Sequence, residues 1–431
     1  MKREYFSGVT TRFLRKDERY IHTKEDQLPL VIEPSCAESK DVRGLKTFLS
    51  SHSDQILDDV AKYGAVLLRG FDVSSTQEFQ DIILSIQGMQ GMGHLFMSEP
   101  GRTHVDGLDY VFHTNSMVKT GGTLQLGGFH NENYYSPDVP NYISFCCFSP
   151  AEYGGETGLI NMQRVYEKLD SSLQKKLEKN TFFVSKWPVA TIASRYNVDA
   201  TAVRNACVDF GLHLNDEDQV VMYKPSVLVC SKTGKKIIQA NLCAELYKLN
   251  DEILNQFVRD YKGWKWLIHK ATWIFLGYRR LRQLSFMLPS FFRHPIRFLK
   301  MYPKMKQKIR QYTDNKHLRI ESVFTDTDVS ILAGLMRECF SSFLWKKGDV
   351  LLVDNVHVAH AGMPGRTSKA NPREIRAMLC NPLKLSYSSL APGLWHNEEF
   401  LPETLGEILH KMSLKKSGVM HVKFDEKSVS V

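Results

Sequence analysis

Two short segments, separated by some 230 residues, constrain this chain more than any other feature. The first reads Gly128-Phe129-His130-Asn131-Glu132. The second reads Asp354-Asn355-Val356-His357-Val358-Ala359-His360 and leads on to Arg373-Glu374-Ile375-Arg376. Two imidazoles, a carboxylate and a guanidinium are the inventory of a site that holds a ferrous ion on one face with a small dicarboxylate beside it. Residues so far apart meet only in a fold rich in non-local pairings. His130 and Glu132 are two residues apart, so on a strand both side chains point to one side. His360 then completes a set of two histidines and one carboxylate, which leaves positions on an octahedral ion for a chelating co-substrate and dioxygen. His357 has the opposite parity on an extended strand and reads as a hydrogen-bonded neighbour, not a ligand.

The pattern around these segments is mainly β with flanking helices. An irregular arm with one or two edge strands occupies residues 1–44. Apolar residues at helical spacing run from Leu45 to Val60, and Ala65-Val66-Leu67-Leu68 follows as a buried strand. A second amphipathic helix covers residues 76–88. Tyr142 to Phe148 is a β-type run closed by Ser149-Pro150. Residues 161–179 have helical spacing. Further strands are expected at 182–189, 220–223, 227–230, 236–241 and 376–380, with Ser231 to Lys235 as a hairpin turn, and 344–353 reads as a turn followed by a buried strand. The tail holds one amphipathic helix, about 400–413. Many short strands joined by turns predict a double-stranded β-helix (jelly roll) core. The chain is read as one domain, residues 1–431. Its core is 46–245 and 316–385, 246–315 is a helical insertion or lid subdomain, and 386–431 is a C-terminal extension.

Composition excludes several classes. With 43% hydrophobic and 24% charged residues, the chain suits a soluble globular protein. Its formal charge of +9 comes with no recognisable nucleic-acid module, so no nucleic-acid partner is expected. No run approaches 18 uncharged apolar residues, so no integral membrane association is expected. The start, Met1-Lys2-Arg3-Glu4-Tyr5-Phe6, lacks a secretory apolar stretch, and the eight cysteines show no C-x-x-C pair. These features predict a cytoplasmic protein with free thiols. The insertion mixes Trp264, Trp266, Trp273 and Phe275 with Lys and Arg. It reads as a structural subdomain, a lid, or a docking face for an acidic carrier protein, while its prolines and internal charges weaken a membrane-surface reading.

In order, the chain carries Phe129-His130-Asn131-Glu132-Asn133-Tyr134-Tyr135; Pro140 with Ile143, Phe145 and Cys147; Gly154-Gly155-Glu156-Thr157; Thr233-Gly234 with Asn241; and Trp345, Gly348-Asp349, Leu351-Leu352, Asp354-Asn355 and His360. This series resembles the taurine dioxygenase and clavaminate synthase-like superfamily of Fe(II)/2-oxoglutarate oxygenases. The likeness is greatest to the branch that modifies amino acids in secondary metabolism. The resemblance implies His130, Glu132 and His360 as iron ligands and Thr157 as a 2-oxoglutarate contact. It implies Arg373 as the anchor of the distal carboxylate, for which a planar fork of donors suits Arg. The chain departs from the family's H-G-R continuation, having His360-Ala361-Gly362 and a longer spacer. Arg376 therefore stands as the alternative anchor, and the opposite parity of Arg373 and Arg376 allows only one to face inward. The family's substrate-side D-G-x-x-I element has no clear counterpart; Thr325-Asp326-Thr327-Asp328 stands near its place.

Arg102, Asn115, Asn131, Tyr134 and Tyr135 are candidate substrate contacts. The cofactors implied are Fe(II), 2-oxoglutarate as co-substrate, and O2. The expected reaction is hydroxylation of an unactivated C–H bond in an amino acid or amino-acid-derived metabolite, free or carrier-tethered, with release of succinate and CO2. Desaturation or cyclisation by the same chemistry, a non-catalytic jelly-roll binding protein and a zinc hydrolase are the alternatives. A small-molecule substrate and a homo-oligomer complete the expected partners.

Overall fold

Four layers build the molecule: helices, a large sheet, a small sheet, and helices again. The computed structural model describes residues 3–6, 8–36, 40–97, 103–114, 128–134, 136–179, 183–230, 233–240, 242–243, 247–277, 323–367, 372–386 and 394–416, with a few isolated positions at 295–296, 299–300, 303 and 370. The large sheet is 11-stranded and mixed. Its middle runs Leu30–Pro34, Ala65–Leu68, Val350–Asp354, Val139–Ser149, Glu374–Ser386 and Leu394–Phe400, with Val111–His113 also paired to Glu374–Ser386. Among the described residues, only the pairs Leu30–Pro34 with Ala65–Leu68, and Val227–Cys230 with Leu394–Phe400, are parallel. The small sheet orders Phe340–Phe343, Thr157–Asn161 and Val358–Gly362.

Strand alternation assigns each residue to a layer. Ile143, Phe145, Cys147, Leu351, Val353, Ile375, Ala377 and Leu379 of the large sheet meet Leu159, Phe343 and Val358 of the small sheet in one buried cluster. The alternate residues Cys146, Val350, Leu352, Met378 and Cys380 face the helices at the chain's start, against Leu45, Leu49, Val60, Phe79 and Ile83. Ile160, Phe340, Ala359 and Ala361, on the far side of the small sheet, pack against the helices Met162–Lys168, Tyr247–Phe257 and Asp326–Glu338. The inter-sheet space is therefore the one lined by both sheets, and His360 alternates into it with Val358.

Several expectations of local structure are corrected. The stretch 45–60 is two helices, Val42–Ser51 and Ser53–Tyr63, because the chain breaks at His52. Residues 161–179 divide likewise into Met162–Lys168 and Ser171–Glu178, since the Asp170 carboxylate caps a new start by accepting from the N–H groups of Ser172 and Leu173. The tail helix begins only at Leu405, and residues 394–400 form a strand of the large sheet. Thr325 and Asp328 form a reciprocal capping box at the start of Asp326–Glu338, a local structural role for that short acidic run. Helices Val189–Tyr196 and Ala200–Asp209 had no counterpart in the sequence reading. Among the described residues, no helix is long and apolar enough to cross a membrane.

Candidate active site

His130 and His360 face each other as a hydrogen-bonded antiparallel pair. The His130 N–H donates to the His360 carbonyl at 3.1 Å, and the His360 N–H returns the bond at 3.0 Å. This single bridge places the first segment on the edge of the small sheet. His130 and Glu132 do not share a strand as their spacing predicts: Glu132, Asn133 and Tyr134 lie in a turn, with Asn133 at φ 55°. The two side chains converge because the turn is clamped. The Glu132 N–H donates to Asn355 Oδ1 at 2.6 Å, and Asn355 Nδ2 donates to the carbonyls of Glu132 (3.2 Å) and Pro140 (2.9 Å). Asn131 completes the clamp. Its Nδ2 donates to the Asn355 carbonyl at 2.6 Å, and its Oδ1 accepts from the Ala240 N–H at 2.9 Å.

Asp354 shapes the second segment. One carboxylate oxygen accepts from the N–H groups of Val356 and His357, and the other meets His357 Nδ1 at 2.8 Å. Burial pulls the His357 imidazole down, but the charge and hydrogen bond of Asp354 outweigh it and hold its pKa above the usual value. His357 is thus a turn residue tied to Asp354. The chain then enters Val358–Gly362 and presents His360 inward, where its ring lies 5.4 Å from that of Phe145.

The Nε2 atoms of His130 and His360 lie 3.8 Å and 3.7 Å from Glu132 Oε2. Ligand atoms from all three side chains fall within 4.8 Å of one another, a grouping able to hold a metal ion. His130 Nδ1 lies 3.0 Å from the Gly128 carbonyl. A carbonyl only accepts, so Nδ1 carries the proton and Nε2 keeps its lone pair toward Glu132. Glu132 and His360 are buried, while the His130 side chain is 38% exposed, so the group opens on the His130 side.

Arg373 and Arg376 differ sharply. Arg376 is on the helix-facing parity of its strand, with Met378 and Cys380, and its Nη2 pairs with Glu374 at 2.5 Å. Arg373 lies beside Cys147, a residue of the inter-sheet cluster; the Nε of each arginine is a buried donor without a partner among the described residues, but only Arg376 has a carboxylate on its guanidinium. Burial without an opposing carboxylate pulls the Arg373 pKa down to about 10. A half-buried guanidinium whose Nε is shut off from water and meets no anion among the described residues is costly unless one is supplied, which fits a carboxylate-bearing co-substrate.

Gly155, at φ +68°, lets the backbone pass this guanidinium. A Cβ there would stand 3.4 Å from Arg373 Nε and 2.8 Å from the Ala151 Cβ. Thr157 is buried in the small sheet, and its Oγ1 accepts from the Trp345 indole N–H at 3.2 Å. Glu156 points elsewhere, accepting from the Ser342 hydroxyl, and burial pushes its pKa to about 7. The donor set and the orphaned guanidinium together fit iron and 2-oxoglutarate.

Tyr134 is half-buried beside Glu132. Arg102, Asn115 and Tyr135 lie outside the described residues. A cavity of about 260 Å³, lined by His94, Leu95, His104, Phe112, Arg195, Tyr196 and His410, was not anticipated. It adjoins the inter-sheet space through Phe112, which pairs with Ala377, which in turn pairs with Phe145. No spacing pattern joins His94 to His410, so only packing reveals it.

A family model described as "Taurine catabolism dioxygenase TauD, TfdA family" matches residues 28–264. A clavaminate synthase-like protein of Arabidopsis thaliana is 24% identical over 381 residues, covering 83% of this chain and 95% of that protein. Among solved structures, PvcB of Pseudomonas aeruginosa is 12% identical at a TM-score of 0.42, covering 86% of this chain and 91% of that one. A taurine dioxygenase of Burkholderia xenovorans is 13% identical at a TM-score of 0.40, with coverage of 84% and 90%. The family match spans more than half of the chain, which therefore belongs to the TauD, TfdA family and is a non-haem iron, 2-oxoglutarate-dependent dioxygenase.

Proposed function

We propose that the enzyme hydroxylates an unactivated C–H bond of an amino acid or amino-acid-derived metabolite, on a jelly-roll core. The observation that carries the site assignment is the placement of three metal-ligand side chains and a half-buried guanidinium, with no carboxylate partner among the described residues, on or next to the strands that line the inter-sheet space. His130, Glu132 and His360 hold iron. Arg373 binds the distal carboxylate of 2-oxoglutarate, with the Thr157 hydroxyl beside it. Bound iron with its co-substrate supplies dioxygen activation and hydrogen-atom abstraction.

The chain's own groups orient and exclude. Asn355 and Asn131 hold Glu132 in place through backbone bonds, so the carboxylate keeps its direction without a rigid strand. Arg373 fixes the co-substrate's far end and so limits its swing about the metal. Phe145, Phe343 and Trp345 wall the space with apolar surface that excludes water. The relatively open His130 side is the side from which the substrate enters. The amino-acid reading rests on the motif series from Phe129 to Cys147.

The test is anaerobic addition of Fe(II) and 2-oxoglutarate, followed by visible absorption, then succinate release over a panel of free and carrier-linked amino acids. The expected result is a weak charge-transfer band and substrate-dependent succinate. A band with no response to any amino-acid compound would discard the amino-acid reading and keep the site. No band from folded protein would remove the site assignment.

A further inference from the structure

The helical insertion carries a surface that the oxygenase chemistry does not use. Trp264 to Trp266 form one helical turn, and residues 267–277 continue as helix. The inner face of this segment is Trp266, His269 and Trp273, all buried. Trp266 is anchored against Tyr153 and Tyr261, at ring separations of 5.2 Å and 4.6 Å, and its indole donates to the Tyr20 hydroxyl. The outer face is equally apolar. Trp264, Leu267, Ile268, Ile274 and Phe275 are all exposed, Trp264 and Phe275 at 79% each. Of the ten large hydrophobic residues exposed among the described residues, seven fall between 264 and 299. A helix that is apolar all round is ordinarily covered all round, and an exposed patch of this kind marks an interaction surface.

Charge identifies what covers it. Between residues 261 and 313 the sequence has thirteen Lys and Arg and no Asp or Glu. The other 378 residues hold 43 basic against 47 acidic side chains, so the whole positive excess of the protein resides in this stretch. On the described face, Lys262 and Lys265 are exposed beside the apolar residues. Exposed Trp, Phe and Ile rimmed by Lys suit a layer with an anionic rim and an apolar interior. Duplex nucleic acid offers nothing to Leu267, Ile268, Ile274 and Phe275. The segment is too short to span a bilayer but long enough to lie along its surface.

We infer that the outer face of residues 264–277 is a peripheral docking surface for an anionic lipid membrane. The apolar side chains insert at the headgroup boundary, and the lysines meet the lipid phosphates and carboxylates. The helix rests through Trp266 on the Gly154 turn, whose neighbour Gly155 touches Arg373, so the docked face sits one layer from the site.

Sedimentation of the full chain with vesicles tests this, using phosphatidylcholine alone and phosphatidylcholine with about one-third phosphatidylserine. The expected result is binding to the anionic vesicles that weakens about tenfold or more on neutral ones, at high salt, or in Lys262→Glu/Lys265→Glu. Ile268→Glu/Phe275→Glu is expected to lose binding while keeping its circular dichroism and its Fe(II)/2-oxoglutarate absorption, since both side chains are exposed. Undiminished binding by that double variant would overturn the inference, as would equal binding to neutral vesicles. A wild-type dimer that the double variant converts to monomer, with no vesicle binding, would reassign the face to a second copy of the chain. Preferential binding of duplex DNA over vesicles would equally overturn it.

Discussion

Arg373 and Arg376 are three residues apart and chemically identical, yet their surroundings separate them. Arg376 has Glu374; Arg373 is half-buried, with no carboxylate beside it among the described residues. Arg373→Ala is therefore expected to weaken 2-oxoglutarate by about 10- to 150-fold, the equivalent of a charge-assisted hydrogen bond of about 1.5–3 kcal/mol, whereas Arg376→Ala leaves it unchanged; titration of the charge-transfer band measures both. A reversed order would move the anchor to Arg376. The parity rule stated that only one of the two faces inward, but the residues alone did not say which. A register shift between Glu374 and Ile375 intervenes, and bulges of this kind are not visible in a residue pattern. Gly155→Ala introduces a methyl 2.8 Å from the Ala151 Cβ at a left-handed backbone position, so it should displace the turn beside Arg373 and raise the 2-oxoglutarate requirement with folding intact.

At the scale of elements, the metal-ligand grouping depends on turns more than on strands. Asn355 bonds both the N–H and the carbonyl of Glu132 and ties them to Pro140. Asn355→Ala leaves those buried groups without partners, an expected loss of about 1–3 kcal/mol in unfolding free energy. Iron affinity should fall about 10- to 100-fold, as when a residue that orients a ligand is removed. Chemical denaturation and iron titration read the two effects separately, and a loss of stability with unchanged iron affinity would deny Asn355 its orienting part. The D-N segment was legible as part of a motif. Its mechanism was not, because a side-chain bond across 223 positions has no local signature. The unforeseen helices at 189–196 and 200–209 have a similar cause, since packing against Phe96, Leu405 and Leu409 stabilises them.

At the scale of the whole molecule, the arm, the large sheet and the turn before Val350 are tied by a buried ionic network. Arg69 pairs with Asp349 at 2.6 Å and with Glu18 at 2.8 Å, and Glu18 also accepts from Arg12 at 2.7 Å. Removing Arg69 leaves the buried Asp349 without its guanidinium and Glu18 with only that of Arg12, so Arg69→Leu is expected to cost about 3–5 kcal/mol of stability by denaturant unfolding. Burial pushes the Glu18 carboxyl up, but hydrogen bonds from Arg12, the Arg15 backbone and Arg69 outweigh it and hold it at about 2. The sign follows from a folded pKa below the unfolded one. The contribution is complete above about pH 4.5 and is lost as pH falls toward 2. Thermal unfolding between pH 5 and about 2 should therefore show a decline that Glu18→Gln flattens; an equal slope in that variant would place the acid sensitivity elsewhere.

What the sequence determined by itself was the chemistry: two imidazoles, a carboxylate and a guanidinium in an ordered series of motifs, on a chain whose short apolar runs and turns favour sheets. Those are properties of residue type and near-neighbour spacing, which survive without a fold. Which arginine lacks an anion, which asparagine clamps the turn, where a cavity joins His94 to His410, and which side of the helix at 267–277 stays uncovered were decided only by tertiary structure. Each depends on what lies across a layer, and burial and pairing are set by residues tens to hundreds of positions away.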